Sequence, residues 1–284
     1  MFLESSPITF PGLGLELNPS PVIDLGFSTI RWYGLIIAVG LMLAAIYGMR
    51  RSKKFGLKED DILDGVLWIV PFAIVCARAY YCIFSWDLYK DNPISVLYIW
   101  NGGLAIPGGI LGTVLGIIVF CRIKKISTFA VFDLVALGFL IGQCLGRWGN
   151  FFNREAYGCE TDFFLRMGLM QNPDGSASLV EHFYHPTFFY ESLWNAIGFC
   201  VLHFASKKRL YDGQIALGYV AWYGFGRTFT EALRASTDAL KGGGLPVTQI
   251  LSAVCCVAAL GVLLWQWFRP HDRAKLYVNR PAEE

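Results

Sequence analysis

The chain has 284 residues, of which 55% are hydrophobic and 16% charged, with a formal net charge of +2. An ordinary soluble domain carries roughly 25% charged residues, so this chain has too little polar surface to stay in water, and its near-balance without a basic block gives no hold on nucleic acid. Its eight cysteines include no CxxC pair and no Cys/His cluster, which argues against a zinc site or a disulfide framework.

Residues 1–29 open the chain with a polar, proline-broken segment (Pro7, Pro11, Pro19, Pro21). It has no Lys or Arg before Arg31, so it does not read as a signal peptide. Seven apolar stretches follow, each near the roughly 20 residues a helix needs to cross a bilayer. They run from Ile30 to Met49, Ile62 to Phe84, Val96 to Cys121, Thr128 to Gly146, Thr187 to Ala205, Gln214 to Glu231 and Val247 to Phe268. Cys76, Cys82, Cys121, Cys144, Cys200, Cys255 and Cys256 lie in or beside these stretches and read as small buried hydrophobes, whereas Cys159 lies in a polar loop. Gly108, Gly112 and Gly116, spaced by four, suit a helix-packing face.

Basic residues are retained in the cytoplasm. Arg50, Arg51, Lys53, Lys54 and Lys58 follow the first stretch, Arg122, Lys124 and Lys125 the third, Lys207, Lys208 and Arg209 the fifth, and Arg269, Arg273, Lys275 and Arg280 the last. Two of the alternate connections are poorer: the one after the second stretch holds Lys90, and residues 147–186 carry Arg154 and Arg166 against five acidic residues. The expectation is an all-α polytopic membrane protein of about seven transmembrane helices, with its N-terminus outside and its C-terminus cytoplasmic. Residues 1–29 form an extracytoplasmic segment, 30–146 helices one to four, 147–186 a small extracytoplasmic head, 187–268 helices five to seven, and 269–284 a cytoplasmic tail. The head contains a strong turn pattern, Asn172-Pro173-Asp174-Gly175.

On this topology the ionisable groups inside the spans gather near the outer leaflet. The fourth span delivers Arg147 there and the sixth Arg227 and Glu231. Arg78 lies late in the second, and Tyr33 and Glu191 early in the first and fifth. An arginine at a helix centre costs about 2.5 to 3.5 kcal/mol on insertion scales, so such groups usually face a cavity or a partner. Single arginines near helix ends can also snorkel as anchors, and Tyr33 alone fits an interfacial aromatic belt. Arg227 and Glu231 have the i, i+4 spacing of an ordinary ion pair. The densest polar run is Gly146-Arg147-Trp148-Gly149-Asn150-Phe151-Phe152-Asn153-Arg154-Glu155-Ala156-Tyr157-Gly158. Its arginines can grip an anion, its asparagines can donate hydrogen bonds, and its glycines allow close backbone approach.

This run resembles the signature of the prolipoprotein diacylglyceryl transferases, Gly-Arg-x-Gly-Asn-Phe-x-Asn-x-Glu-x-x-Gly, at all eight fixed positions. Further resemblance lies in Ile30-Arg31-Trp32-Tyr33-Gly34, Trp100-Asn101-Gly102-Gly103, His185-Pro186-Thr187 with Tyr190-Glu191, and Tyr223-Gly224-x-x-Arg227-x-x-x-Glu231. The resemblance implies transfer of the diacylglyceryl group of phosphatidylglycerol to the lipobox cysteine thiol of an exported prolipoprotein, forming a thioether and releasing glycerol phosphate. It implies partners in phosphatidylglycerol, the prolipoprotein signal peptide and membrane lipid, with no nucleic acid, metal or other cofactor. The location implied is the bacterial inner membrane, with the site at the outer leaflet. Carried over residue by residue, Arg147, Arg227 and Glu231 are expected to be catalytic, and Arg147, Asn150, Asn153, Glu155, Tyr33 and Gly158 to bind substrate.

One position departs from the family. Where many members carry a histidine cast as the base for the incoming thiol, this chain has Pro107, which cannot accept a proton. His185 and Glu155 remain candidates for that role, and a thiol near arginines could dispense with a base. The rival reading is a secondary transporter with an outward-facing anion site; against it stand the absence of an inverted repeat and polar groups placed at the interface and not the midplane.

Overall fold

The computed structural model describes residues 6–26, 29–171, 180–234, 241–242 and 245–280. The expected turn at 172–175 lies outside the described residues. The chain is mostly helical. Among the described residues there are seven long helices: α1 (Trp32–Arg51), α2 (Glu59–Phe84), α3 (Ile106–Lys124), α4 (Thr128–Asn153), α5 (Thr187–Ser206), α6 (Gln214–Ala232) and α7 (Val247–Trp267). Five of them, α1 to α4 and α7, are long and apolar enough to cross a membrane, whereas α5 and α6, with 20 and 19 residues, fall short on hydropathy. Those two carry much of the buried charge described below, which is why their apolar signal is weaker.

The all-α expectation needs amending, because short strands accompany the helices. They include β1 (Ile8–Phe10), β2 (Leu15–Leu17), β3 (Val22–Asp24), β4 (Thr29–Arg31), β5 (Met167–Gln171) and β6 (Val180–Tyr184). An antiparallel sheet of order β2-β1-β5-β6 pairs Ile8 with Leu17 on one side and with Leu169 on the other, while Met167 pairs with Tyr184. β3 and β4 form a separate hairpin that leads straight into α1.

The chain divides into two compact units. One comprises Met1–Ala44, Ala136–Arg209 and Gln214–His271, and the other Ala45–Val135, Leu210–Gly213 and Asp272–Glu284. In the first unit the sheet is seated on helix ends: Ile8, Met167, Leu169 and Tyr184 share a buried cluster with Phe151 of α4 and Phe188 of α5, and Phe10, Phe152 and Tyr157 pack against it. Burial of this apolar surface holds the chain's beginning against the run that contains Arg147.

In the second unit α2 and α3 pack through the expected glycine face. A Cβ on Gly112 would come within 2.6 Å of Cys76 Cβ, and one on Gly108 within 2.6 Å of the Cys76 carbonyl oxygen. α3 starts at Ile106, well after the expected Val96, because Pro93–Leu97 and Ile99–Asn101 are 3-10 turns and Gly102 and Gly103 adopt positive φ (85° and 75°). Arg78 holds this stretch. Its Nε donates to Val96 O (2.8 Å), Nη1 to Gly102 O and Gly103 O (2.7 and 3.0 Å), and Nη2 to Ser95 O (2.9 Å). These bonds satisfy carbonyls that the turns leave without helical partners. Arg78 is thus engaged with backbone oxygens. Pro107 occupies the first turn of α3, where its missing N–H costs nothing.

Candidate active site

The expected end of the fourth span at Gly146 is not an end, since α4 continues to Asn153. Arg147, Asn150 and Asn153 are therefore helical. The helix stops when Arg154 and Ala156 enter the left-handed region (φ 53° and 56°), with Glu155 N–H returning to Asn150 O at 3.0 Å. A side chain at such a φ costs about 1–2 kcal/mol. At Arg154 the surroundings hold it: its Nη2 donates to Ser6 O (2.7 Å) and Pro19 O (3.1 Å), tying the N-terminal segment to the turn.

Two glycines of the run serve close approach. A Cβ on Gly149 would lie 2.5 Å from Cδ2 of Tyr33, so glycine lets the Tyr33 ring of α1 lie on α4. A Cβ on Gly158 would lie 2.5 Å from Leu233 O. Gly158 N–H donates to His185 O (2.9 Å), and Gly158 bridges to Arg234, so the segments after α4, before α5 and after α6 meet there. Thr187, at the start of α5, donates its hydroxyl to Ala156 O.

The charged residues form one chain of contacts. Glu191, buried on α5, pairs with Arg147 of α4 and accepts from Nη1 of Arg227 of α6 at 3.3 and 3.2 Å. Arg227 Nη2 reaches Glu231 Oε2 at 2.6 Å, Glu231 Oε1 accepts from Thr248 of α7 at 2.9 Å, and Arg234 Nη1 stands 3.5 Å from Glu231 Oε2. The two carboxylate side chains keep only 5% and 1% of their surface exposed, whereas Arg147, Arg227 and Arg234 keep 18%, 14% and 11%. The carboxylates therefore sit behind and the guanidiniums in front. Three guanidiniums against two carboxylates leave one positive charge over. Burial, with Arg227 and Arg147 nearby, pulls the Arg234 guanidinium below the usual arginine range, and its Nε is buried without a hydrogen-bond partner. Such a cluster is short of one anion.

Of the residues expected from the sequence, Arg147, Arg227 and Glu231 are brought together. Tyr33 lies within electrostatic reach of Arg147 and Glu155. Asn150 is buried, while Asn153 Nδ2 donates to Glu155 Oε1 at 3.2 Å on the exposed side of the turn. His185 Nδ1 lies 3.3 Å from the Tyr190 hydroxyl, and burial lowers its pKa, favouring the neutral ring. Glu191 and Arg234 were not among the expected site residues. The signals were present: Glu191 is a lone carboxylate in an apolar stretch, and Arg227, Glu231 and Arg234 repeat at the spacing of one helical face.

A family model described as prolipoprotein diacylglyceryl transferase matches residues 21–265. Similar proteins named phosphatidylglycerol–prolipoprotein diacylglyceryl transferase come from several bacteria. That of Listeria monocytogenes serotype 4a (strain HCC23) is 40% identical over 258 residues, covering 90% of this chain and 92% of the relative. That of Limosilactobacillus reuteri (strain DSM 20016) is 41% identical over 275 residues, covering 94% and 97%. That of Lysinibacillus sphaericus (strain C3-41) is 40% identical over 272 residues, covering 94% and 98%. The transporter reading finds no support among them. With its signature run folded around a buried arginine–glutamate chain, and with relatives matched along nearly its whole length, the chain belongs to the prolipoprotein diacylglyceryl transferase family.

Proposed function

We propose that the chain transfers the diacylglyceryl group of phosphatidylglycerol to the lipobox cysteine of exported prolipoproteins, and that the arginine cluster is where the lipid phosphate sits. The observation that carries this reading is the surplus positive charge fronted by Arg147, Arg227 and Arg234, with Glu191 and Glu231 behind. A phosphodiester head group brings the one missing negative charge.

In the reaction the cysteine sulfur attacks the glyceryl carbon that bears the phosphate. A C–S bond forms, the C–O bond breaks with its electron pair going to the phosphate, and the thiol proton passes to solvent. Negative charge grows on the departing phosphate, so guanidiniums already held in place stabilise the transition state more than the bound lipid. Arg147 and Arg227 take this role, and Glu191 and Glu231 keep them oriented. Asn150, Asn153, Glu155, Tyr33 and Gly158 line the substrate side. Pro107 offers no base. A cysteine of pKa about 8.5 is already partly thiolate near neutrality, and a positive field lowers that pKa further.

The placing of seven spans in the bacterial inner membrane, N-terminus outside, C-terminus inside and arginines at the outer leaflet, is supported by the Lys and Arg residues that follow the first, third, fifth and last spans. The deciding experiment gives purified protein phosphatidylglycerol vesicles and a lipobox peptide and reads the thioether product by mass spectrometry. Arg147→Ala and Arg227→Ala should each lose about 100-fold or more in kcat. Full turnover in both variants would sink the arginine mechanism.

A further inference from the structure

Midway along α5 and α6, two tryptophans grip each other. The rings of Trp194 and Trp222 stack with centroids 4.3 Å apart and planes inclined by 16°. Trp194 Nε1 donates to Trp222 O at 3.0 Å, and Trp222 Nε1 donates to Trp194 O at 3.0 Å. Each acceptor is a carbonyl inside a helix, whose usual partner is the amide four residues on. That fourth residue is glycine in both cases, Gly198 after Trp194 and Gly226 after Trp222. A Cβ on Gly198 would run into Nε1 of Trp222, and a Cβ on Gly226 into Nε1 of Trp194. The same Trp-x-x-x-Gly spacing thus occurs on both helices, and each glycine opens the carbonyl one turn before it to the indole of the other helix.

The helices run antiparallel, since Glu191 meets Arg227, Trp194 meets Trp222, and Leu202 meets Gly218. In lipid, apolar helix faces have no hydrophobic drive to choose one axial register over another, so directional bonds must set it. A slip of a single residue moves one helix by about 1.5 Å, enough to break a 3.2 Å contact such as that between Arg227 and Glu191. Glu191 stands three residues before Trp194, and Arg227 directly follows Gly226.

We propose that Trp194, Trp222, Gly198 and Gly226 are positioning residues for the transfer reaction, a reciprocal lock that fixes the register in which α5 presents Glu191 to Arg227. The proposal rests on the functional reading above for its link to catalysis, but the lock can be read without it.

The lock is read by thermal unfolding of the purified protein in detergent. Gly198→Ala and Gly226→Ala should each lower the midpoint. Adding Trp222→Leu to Gly198→Ala, or Trp194→Leu to Gly226→Ala, should bring the midpoint back to that of the leucine variant alone. The crossed combinations, Gly198→Ala with Trp194→Leu and Gly226→Ala with Trp222→Leu, should not recover. Rescue that ignores which tryptophan is changed, or alanine variants that match the parent, would overturn the lock.

Positioning is read by turnover well below the unfolding midpoint. Trp194→Phe and Trp222→Phe keep an aromatic ring and remove the N–H. Each should lower kcat about tenfold as α6 carries Arg227 out of register, with KM for phosphatidylglycerol held within about twofold because Glu191 on α5 and Arg147 on α4 keep their pairing. A lower midpoint with unchanged kcat would mean a purely structural role and refute the positioning claim. A parent with no transfer activity would sink the functional reading and the catalytic link together, while the rescue pattern would still report on the lock itself.

Discussion

Glu191 is the residue on which the arginines converge, with Arg147 on one side and Arg227 on the other. Removing one partner from a buried ion pair costs about 3–5 kcal/mol, because the remaining charge loses its compensation. Glu191→Gln leaves two guanidiniums facing each other. It should lower the thermal midpoint and reduce kcat about 100-fold, and wild-type turnover in this variant would show that Arg147 and Arg227 need no shared carboxylate. The sequence made Arg227 and Glu231 legible as a pair, since i, i+4 is a local spacing. It left Glu191 outside the site, because its partners come from α4 and α6 and no local spacing announces such a meeting. Arg78 is the opposite case. A buried arginine was read as part of the polar level, and its guanidinium instead serves Val96, Gly102, Gly103 and Ser95 carbonyls.

At the scale of elements, apolar runs identified the helices because a bilayer-length stretch of hydrophobes has few alternatives. Their ends were harder. Hydropathy carried the third span back to Val96, and it could not see that Pro93 and the positive-φ Gly102 and Gly103 hold this stretch in turns. It likewise stopped the fourth span at Gly146, where polarity rises although the helix continues to Asn153. The glycine face of α3 was legible from its spacing, and it gives a sharp contrast. Gly112→Ala would place a methyl 2.6 Å from Cys76 Cβ, whereas Gly109→Ala would sit at an ordinary 3.7 Å from Ala77 Cβ. Overpacking of the first kind costs about 1–3 kcal/mol. Thermal unfolding should show Gly112→Ala clearly destabilised and Gly109→Ala close to the parent; equal midpoints would refute the packing account.

At the scale of the whole molecule, the sheet was invisible in the sequence because β1 pairs with β5 from the far side of four helices, Ile8 against Leu169. Strands of only three to five residues carry little signal of their own. The orientation, by contrast, was read from the unequal distribution of Lys and Arg, and it can be checked with cysteines already present. Cys159 is exposed in the segment between α4 and α5, whereas Cys200 and Cys255, also exposed, lie along α5 and α7 where lipid would cover them. An impermeant maleimide applied to cells stripped of any outer barrier should label Cys159 and leave Cys200 and Cys255 unmodified. Labelling of Cys159 only after the cytoplasmic face is opened would reverse the topology.

The single surplus charge of the arginine–glutamate chain also bears on how the enzyme empties itself. The phosphodiester proposed as its guest carries one negative charge and would bring the chain to neutrality. Glycerol phosphate, as a monoester, carries roughly −1.5 to −2 at neutral pH, more than the cluster can balance. Among side chains as buried as these that excess is unfavourable to hold, so completing the transfer would turn a matched guest into a mismatched one. On the proposed mechanism the leaving group is therefore expected to depart for water, while the lipid-modified cysteine stays with the membrane.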